Sequence, residues 1–228
     1  MPLEYLAAGM RAAARGSTVG GGRVAVLAAS AGSEGALATL AAFEELPCRA
    51  VVAIAPSSVV WQAPASGGGR PPDASSWTLG GAPLPWTPLR RDKLFGPAVP
   101  HAVVDRLRRR RGRAVPLRPA YAASLGRHAA DAEIAAERIE APLLLLAGED
   151  DQVWPSVDMA TRLLDRRARA EDRLLAFPDA GHLLQPPVTP TTVPADDLVV
   201  SGGTPAGNAR AQAEGWHAIL DFLALHVG

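Results

Sequence analysis

The stretch that most narrows the fold is residues 23–40, RVAVLAASAGSEGALATL. It joins a short apolar run to Ala28-Ala29-Ser30-Ala31-Gly32, and then to an Ala/Leu-rich segment that opens with Ser33 and Glu34. An apolar run of strand length, passing into a helix former with almost no spacer, predicts a buried strand, a very tight turn and a helix. Small residues at Ala28 and Gly32 are expected to let strand and helix cross closely and hold Ser30 on a strained turn. That pattern is a nucleophile elbow, with Ala28 where the usual form begins with glycine. The Ser30 hydroxyl is expected to point out of the fold beside the positive end of the helix dipole, where developing negative charge is favoured.

The rest of the chain supports a sheet around that elbow. Residues 3–15 read as a helix with Leu3, Leu6 and Met10 on one side, stopped by Gly16. The elbow strand spans 23–29, its helix 33–45, and a second strand 50–55 ends at Pro56-Ser57-Ser58. Both strands are apolar on both faces, the mark of a parallel sheet covered by helices on each side. Residues 59–100 are rich in Pro, Gly, Ser and Trp (Trp61, Trp77, Trp86) and keep neither a strand nor a helix period. Such a segment inside one domain predicts a lid or cap, and with helical pieces at 101–111 and 119–139 it makes 59–140 an insertion. Regular patterning returns with a strand at 141–147 and an acidic loop at 148–155. Ser156 is then read as the cap of a helix whose positions Val157, Ala160, Leu163 and Leu164 share a face. A strand at 173–177 leads into the loop carrying His182. Thr204 and Pro205 stand where an N-cap and first helical residue belong, before a helix expected to bury Trp216, Ile219, Leu220, Leu223 and Val227.

Composition bounds the possible roles. The chain has 228 residues, enough for one domain with a full core. Its 23 basic and 23 acidic residues balance, which gives no pull towards nucleic acid or an anionic membrane. Lys93 is the only lysine, and the arginine bias reads as genomic composition. The single cysteine, Cys48, excludes an internal disulfide, fits a reducing compartment and reads as a small buried apolar residue. No run approaches the ~20 apolar residues of a membrane helix, and Met1-Pro2-Leu3-Glu4 does not begin a signal peptide, so the expected location is cytoplasmic.

The order of elements, with a serine, then an acid, then a histidine each in a loop after a strand, is that of the second half of an α/β-hydrolase. A serine hydroxyl is a weak nucleophile until an imidazole takes its proton, and a buried carboxylate must orient that imidazole. Three acids compete in the loop: Glu149, Asp150 and Asp151. Asp151, three after Gly148 and four before Pro155, has the position that aims back across the sheet edge. His182, between Gly181 and Leu183, is the expected base. His101, His128, His217 and His226 lack acidic or nucleophilic context. Ser57 and Ser58 read as a turn after Pro56. The run Arg106, Arg108 to Arg111 and Arg113 reads as a solvated helix face, with phosphate contact as the alternative. No spacing suggests a metal site, no phosphate loop is present, and no cofactor is expected.

Several segments together resemble a specific family: AASAGSEGAL, AVVAIAPSSVVWQ, SSWTLGGAPLPW, LLLAGEDDQVWPS, AGHLLQPP, GGTP and ARAQAEGW. They are similar to the C-terminal domain of the acyl-CoA thioesterase and bile acid-CoA:amino acid N-acyltransferase family, and more distantly to dienelactone-hydrolase-like enzymes. The resemblance covers nearly the whole chain. It implies a Ser/Cys-His-Asp triad acting on an acyl thioester through an acyl-enzyme, at Ser30, Asp151 and His182, with the Ala31 N–H as an oxyanion donor. It also implies a longer protein: relatives carry an N-terminal β-sandwich or at least the first strands of the sheet, so this chain is expected to be an incomplete hydrolase domain. A second oxyanion N–H would then be missing, and the strand at 23–29 would become an edge open to self-association. The alternatives are acyl transfer to an amino acid and a catalytically weakened remnant.

Overall fold

A computed structural model describes residues 1–16, 22–64, 71–90, 114–128, 130–184, 191 and 199–228. Among them lie strands β1 (Val24–Ala29), β2 (Cys48–Ile54), β3 (Thr78–Leu79), β4 (Ala82–Pro83), β5 (Leu143–Gly148) and β6 (Arg173–Phe177). The helices are α1 (Leu3–Gly16), α2 (Ala31–Ala42), α3 (Arg118–Leu125), α4 (Ser156–Arg167) and α5 (Pro205–Val227), with 3₁₀ turns at Ala130–Ala132 and Ala136–Arg138. The central sheet has the order β1-β2-β5-β6 and every pairing in it is parallel. This is an α/β fold with helices on both faces, as the two-sided apolar strands require.

Leu143, Leu144, Leu145 and Leu146 of β5 are all fully buried and alternate between two cores. Leu143 and Leu145 join Leu37, Leu40, Ala160 and Leu163 of α2 and α4 on one face. On the other, Leu144 and Leu146 meet Ala211, Ile219 and Phe222 of α5. Each such leucine contributes about 1.5–3 kcal/mol by leaving water. Among the described residues β1 is one of the two outer strands, as expected, with Leu27 exposed.

Several expectations need correction. Gly32 is exposed and a Cβ there would meet nothing, so it is not what lets the strand and helix approach. The tight contact lies one turn later, where a Cβ on Gly35 would sit 2.3 Å from the Trp77 ring. α2 starts at Ala31, because Ser30 itself makes the turn, and ends at Ala42 where Phe43 goes extended. Ser156 is the first residue of α4 and does not cap it; its buried hydroxyl donates to the Gly148 carbonyl at 3.4 Å. On α5 the buried side runs through Asn208, Ala211, Gln212, Gly215, Ile219 and Phe222, whereas Trp216 and Leu220 face outward. Thr204 does cap α5, accepting from the Gly207 amide at 3.0 Å. His128 has an acidic partner after all, with Nε2 2.5 Å from Glu133 Oε1. Cys48 is half-buried and lies within β2, its thiol donating to the Ala50 carbonyl at 3.3 Å.

The described part of residues 59–90 is docked on the helices. Trp77 enters the core, the Thr87 amide donates to the Val60 carbonyl, and Thr78 donates to the Met1 carbonyl. The helix expected at 101–111, the arginine run at 106–113 and most of the proline-rich 186–194 lie outside the described residues, as does part of the expected lid.

Arg167 is a stabilising group that patterning alone did not reveal. Its guanidinium is buried at the end of α4, pairs with the buried Asp172 and donates to the carbonyls of Ala136, Ile139 and Ala141. Asp172 in turn accepts the Leu143 amide at 2.9 Å. Arg167→Met strands that carboxylate without its counter-charge and is expected to cost about 3–5 kcal/mol. Urea unfolding checks this; a loss below about 1 kcal/mol would show that the pair is dispensable.

Candidate active site

The site is assembled at the carboxyl ends of β1, β5 and β6, where such sheets place ligands. Ser30 follows β1 directly and takes φ 53° and ψ −130°. A non-glycine residue held there costs about 1–3 kcal/mol, so the surrounding structure has to enforce it. The Ser30 amide donates to the Ile54 carbonyl at 2.9 Å, and its own carbonyl accepts from Ser33 N at 2.9 Å and Ser33 Oγ at 2.7 Å. Those bonds tie the turn to β2 and to the first turn of α2. Ala31 opens α2, so its N–H is among those that helix geometry leaves without an intrahelical acceptor.

Asp151 is fully buried in the loop after β5. Its Oδ1 accepts the amides of Val153 at 2.8 Å and Trp154 at 3.2 Å, which leaves Oδ2 for His182 Nδ1 at 2.8 Å. The other ring nitrogen, Nε2, lies 2.8 Å from Ser30 Oγ. The structure thus brings Ser30, His182 and Asp151 into one hydrogen-bonded line. The competing acids turn elsewhere: Asp150 accepts the Gly203 amide and the Gln152 side chain, and Glu149 is exposed.

Main chain holds the two loops in register. His182 N donates to the Ser201 carbonyl at 2.8 Å, Asp150 N to the Ala180 carbonyl at 3.0 Å, and bridges join Asp151 to Gly202 and Ala180 to Gly203. The backbones come so close that a Cβ on Gly181 would lie 2.3 Å from the Gly202 carbonyl. On Gly202, at φ 81°, a Cβ would lie 1.9 Å from the Asp150 oxygen. The GGTP segment is therefore a clasp for the loops that carry Asp151 and His182.

Reasoning from the sequence missed the aromatic surroundings. Trp154 packs edge-on against the His182 ring at 5.3 Å, Tyr121 against Trp154 at 5.6 Å, and Trp61 against Tyr121 at 4.8 Å. Missed too was Glu34, a single acid in an Ala/Leu helix, buried one turn from Ser30. Its isolation in an apolar stretch was the available signal. A cavity of about 370 Å³ between Ser58, Ile134 and Leu163 contains none of the three aligned side chains, so the site rests on the hydrogen-bonded line and not on that hollow. Among the described residues no group of three His, Cys, Asp or Glu is placed to hold a metal ion, and no helix is long and apolar enough to cross a membrane.

Comparison with known proteins gives the chain's family. An acyl-coenzyme A amino acid N-acyltransferase 2 from Rattus norvegicus is 35% identical over 99 residues, 40% of this chain and 24% of its own length. A peroxisomal succinyl-coenzyme A thioesterase from Mus musculus is 29% identical over 100 residues, with the same 40% and 24% coverage. Acyl-coenzyme A thioesterase 1 from Homo sapiens is 30% identical over 103 residues, 42% of this chain and 24% of its own. The matched region spans about a quarter of the length of these relatives. The family described as BAAT / acyl-CoA thioester hydrolase C terminal matches residues 1–228. The chain belongs to that family.

Proposed function

We propose that this chain carries the catalytic residues of an acyl-CoA thioesterase-like serine hydrolase. The observation that carries the reading is the line Ser30 Oγ to His182 Nε2 to Asp151 Oδ2, with 2.8 Å at each step. His182 takes the Ser30 proton as Oγ attacks the thioester carbonyl, and Asp151 stabilises the imidazolium that forms. The oxyanion of the tetrahedral intermediate lies towards the Ala31 N–H and the positive end of α2. Collapse breaks the carbon–sulfur bond, His182 returns the proton to the departing thiolate, and an acyl ester remains on Ser30. Water then attacks that ester with His182 as base, which releases a carboxylic acid and restores the serine.

A second reading has its own support, because one relative is named for N-acyl transfer to an amino acid. In it the amine replaces water in the second half-reaction. The serine favours water, since an oxygen ester passes its acyl group to amines less readily than a thioester does. Either reaction suits a reducing compartment such as the cytoplasm, where the free Cys48 thiol persists.

The test mixes the protein with a series of acyl-CoA substrates, follows free thiol release, and maps the trapped adduct by mass spectrometry. Thiol release with an acyl mass on the peptide containing Ser30 is the expected result. Adding glycine separates the readings: hydrolysis leaves the free acid as product, and transfer gives the N-acyl amino acid. Thiol release with an acyl mass on another residue would remove Ser30 from its role.

A further inference from the structure

Glu34 is an unusual residue for its place. It lies in the first turn of α2, is 1% exposed, and donates its own amide to the Ser30 carbonyl at 3.2 Å. Two donors from another part of the chain converge on one of its oxygens, Oε1: the Trp61 amide at 3.0 Å and the Trp77 indole N–H at 2.8 Å. Next to it, Gly35 leaves room for the Trp77 ring, with ring atoms 2.3–2.7 Å from where a Cβ would be. Acceptor and recess together form a socket for the tryptophan-bearing segment. From Trp61 the row of edge-on rings runs through Tyr121 and Trp154 to His182. The turn that presents Ser30 and the aromatic support of His182 therefore meet at one side chain.

We infer that Glu34 is a positioning residue that locks Trp61 and Trp77 to the elbow helix, and thereby fixes His182 relative to Ser30. The inference rests on the catalytic reading of those two residues. Glu34 touches no reacting atom; it acts through the rings.

Its chemistry makes the lock sensitive to pH. Burial pushes the carboxyl up to about 8, against the smaller opposing effect of the two donors. The acid form is therefore the resident form at neutral pH. Among the described residues Tyr121 of α3 is the titratable group that faces it, its phenol pushed up to about 12 by burial and by the Glu34 charge. Tyr121 thus stays neutral while Glu34 titrates. The sign follows directly: the folded protein holds this proton more tightly than the unfolded chain, so the contribution is full below the ordinary carboxyl range. It declines as pH rises and is gone above about 8. Ionisation strengthens the two N–H bonds, but it puts a buried charge where no described residue offers a counter-charge, so the carboxylate is drawn towards water and the packing around the socket is disturbed.

The experiment has two arms. In the first, the indole N–H of Trp77 is followed by NMR from pH 6 to 10 in Ser30→Ala protein, so turnover plays no part. A shift with a midpoint near 8 is expected, and none in Ser30→Ala/Glu34→Gln, whose neutral amide keeps an acceptor without a titrating proton. In the second, the rate of Ser30 labelling by a fluorophosphonate is measured against pH. The rate is expected to fall above about 8 with Glu34, and this alkaline limb is absent in Glu34→Gln, which labels normally at pH 7. Glu34→Leu removes the acceptor and is expected to label ~10- to 100-fold more slowly, the scale of a small misplacement. An unmoving Trp77 signal, or the same alkaline limb in Glu34→Gln, overturns the inference even if Glu34→Leu fails to fold. If Ser30 does not label at all, the catalytic reading fails while the first arm still decides the lock.

Discussion

Ser30→Ala is expected to lower acyl-CoA turnover by ~10⁴- to 10⁶-fold while leaving the fold intact, the scale seen when a serine nucleophile is removed from a triad. The backbone at φ 53° already carries a Cβ, so alanine adds no strain that serine lacks. What it removes is the oxygen that lies 2.8 Å from His182 Nε2. Circular dichroism should overlay that of the parent. A fluorophosphonate probe should label the parent and not the variant. Equal labelling of both would show that another residue is the nucleophile, however well Ser30 is aligned.

Asp151→Asn should fall nearly as far, by ~10⁴-fold, and far below Asp150→Asn. The two acids are neighbours in sequence and opposites in surroundings. Asp151 accepts two amides on Oδ1 and faces His182 Nδ1 with Oδ2, fully buried. An asparagine in the same pose keeps its carbonyl oxygen on the Val153 and Trp154 amides and turns its NH₂ towards Nδ1. The imidazole must then accept there and carry its proton on Nε2, where it cannot take one from Ser30. Asp150 lies at the rim, holding the Gly203 amide at 2.8 Å, and an asparagine oxygen holds it equally well. Steady-state kcat for both variants decides; if Asp150→Asn were the more damaging, the orienting acid would be one residue earlier.

How much of this was readable depended on whether a residue's role is local. The LLLL of β5, the strand at Arg173–Phe177 and the Thr204-Pro205 helix start follow from hydrophobic runs and capping chemistry, and they stand where the pattern puts them. The serine, acid and histidine were legible because each follows a strand in a parallel sheet, and the sheet brings those ends together. Roles set by partners distant in sequence were not. Gly35 is small because Trp77, 42 residues later, lies on it, whereas the local pattern points to Gly32. Glu34 reads as a first-turn acid suited to the helix dipole until Trp61 and Trp77 close over it. Trp216 and Leu220 have core-like chemistry but sit on the outward side of α5, because the small residues Ala211 and Gly215 let the helix lie close to the sheet.

The clasp formed by Gly181, Gly202 and Gly203 has a consequence for how this corner would look to a survey of random substitutions. Apart from Asp150 and Asn208, whose side chains hold the Gly203 and Gly181 amides, the register of the two loops is written in carbonyls and amides that most side-chain exchanges leave in place. Neighbouring side chains are therefore free to diverge, and with them the walls of any substrate pocket. The glycines have no such freedom, since anything larger drives one strand of the clasp off the other. In a map of tolerated replacements they would stand out as sharply as the reacting groups, though they do no chemistry. Intolerance in this corner marks geometry and reactivity alike, and only a measurement that separates amount of folded protein from rate per molecule tells them apart.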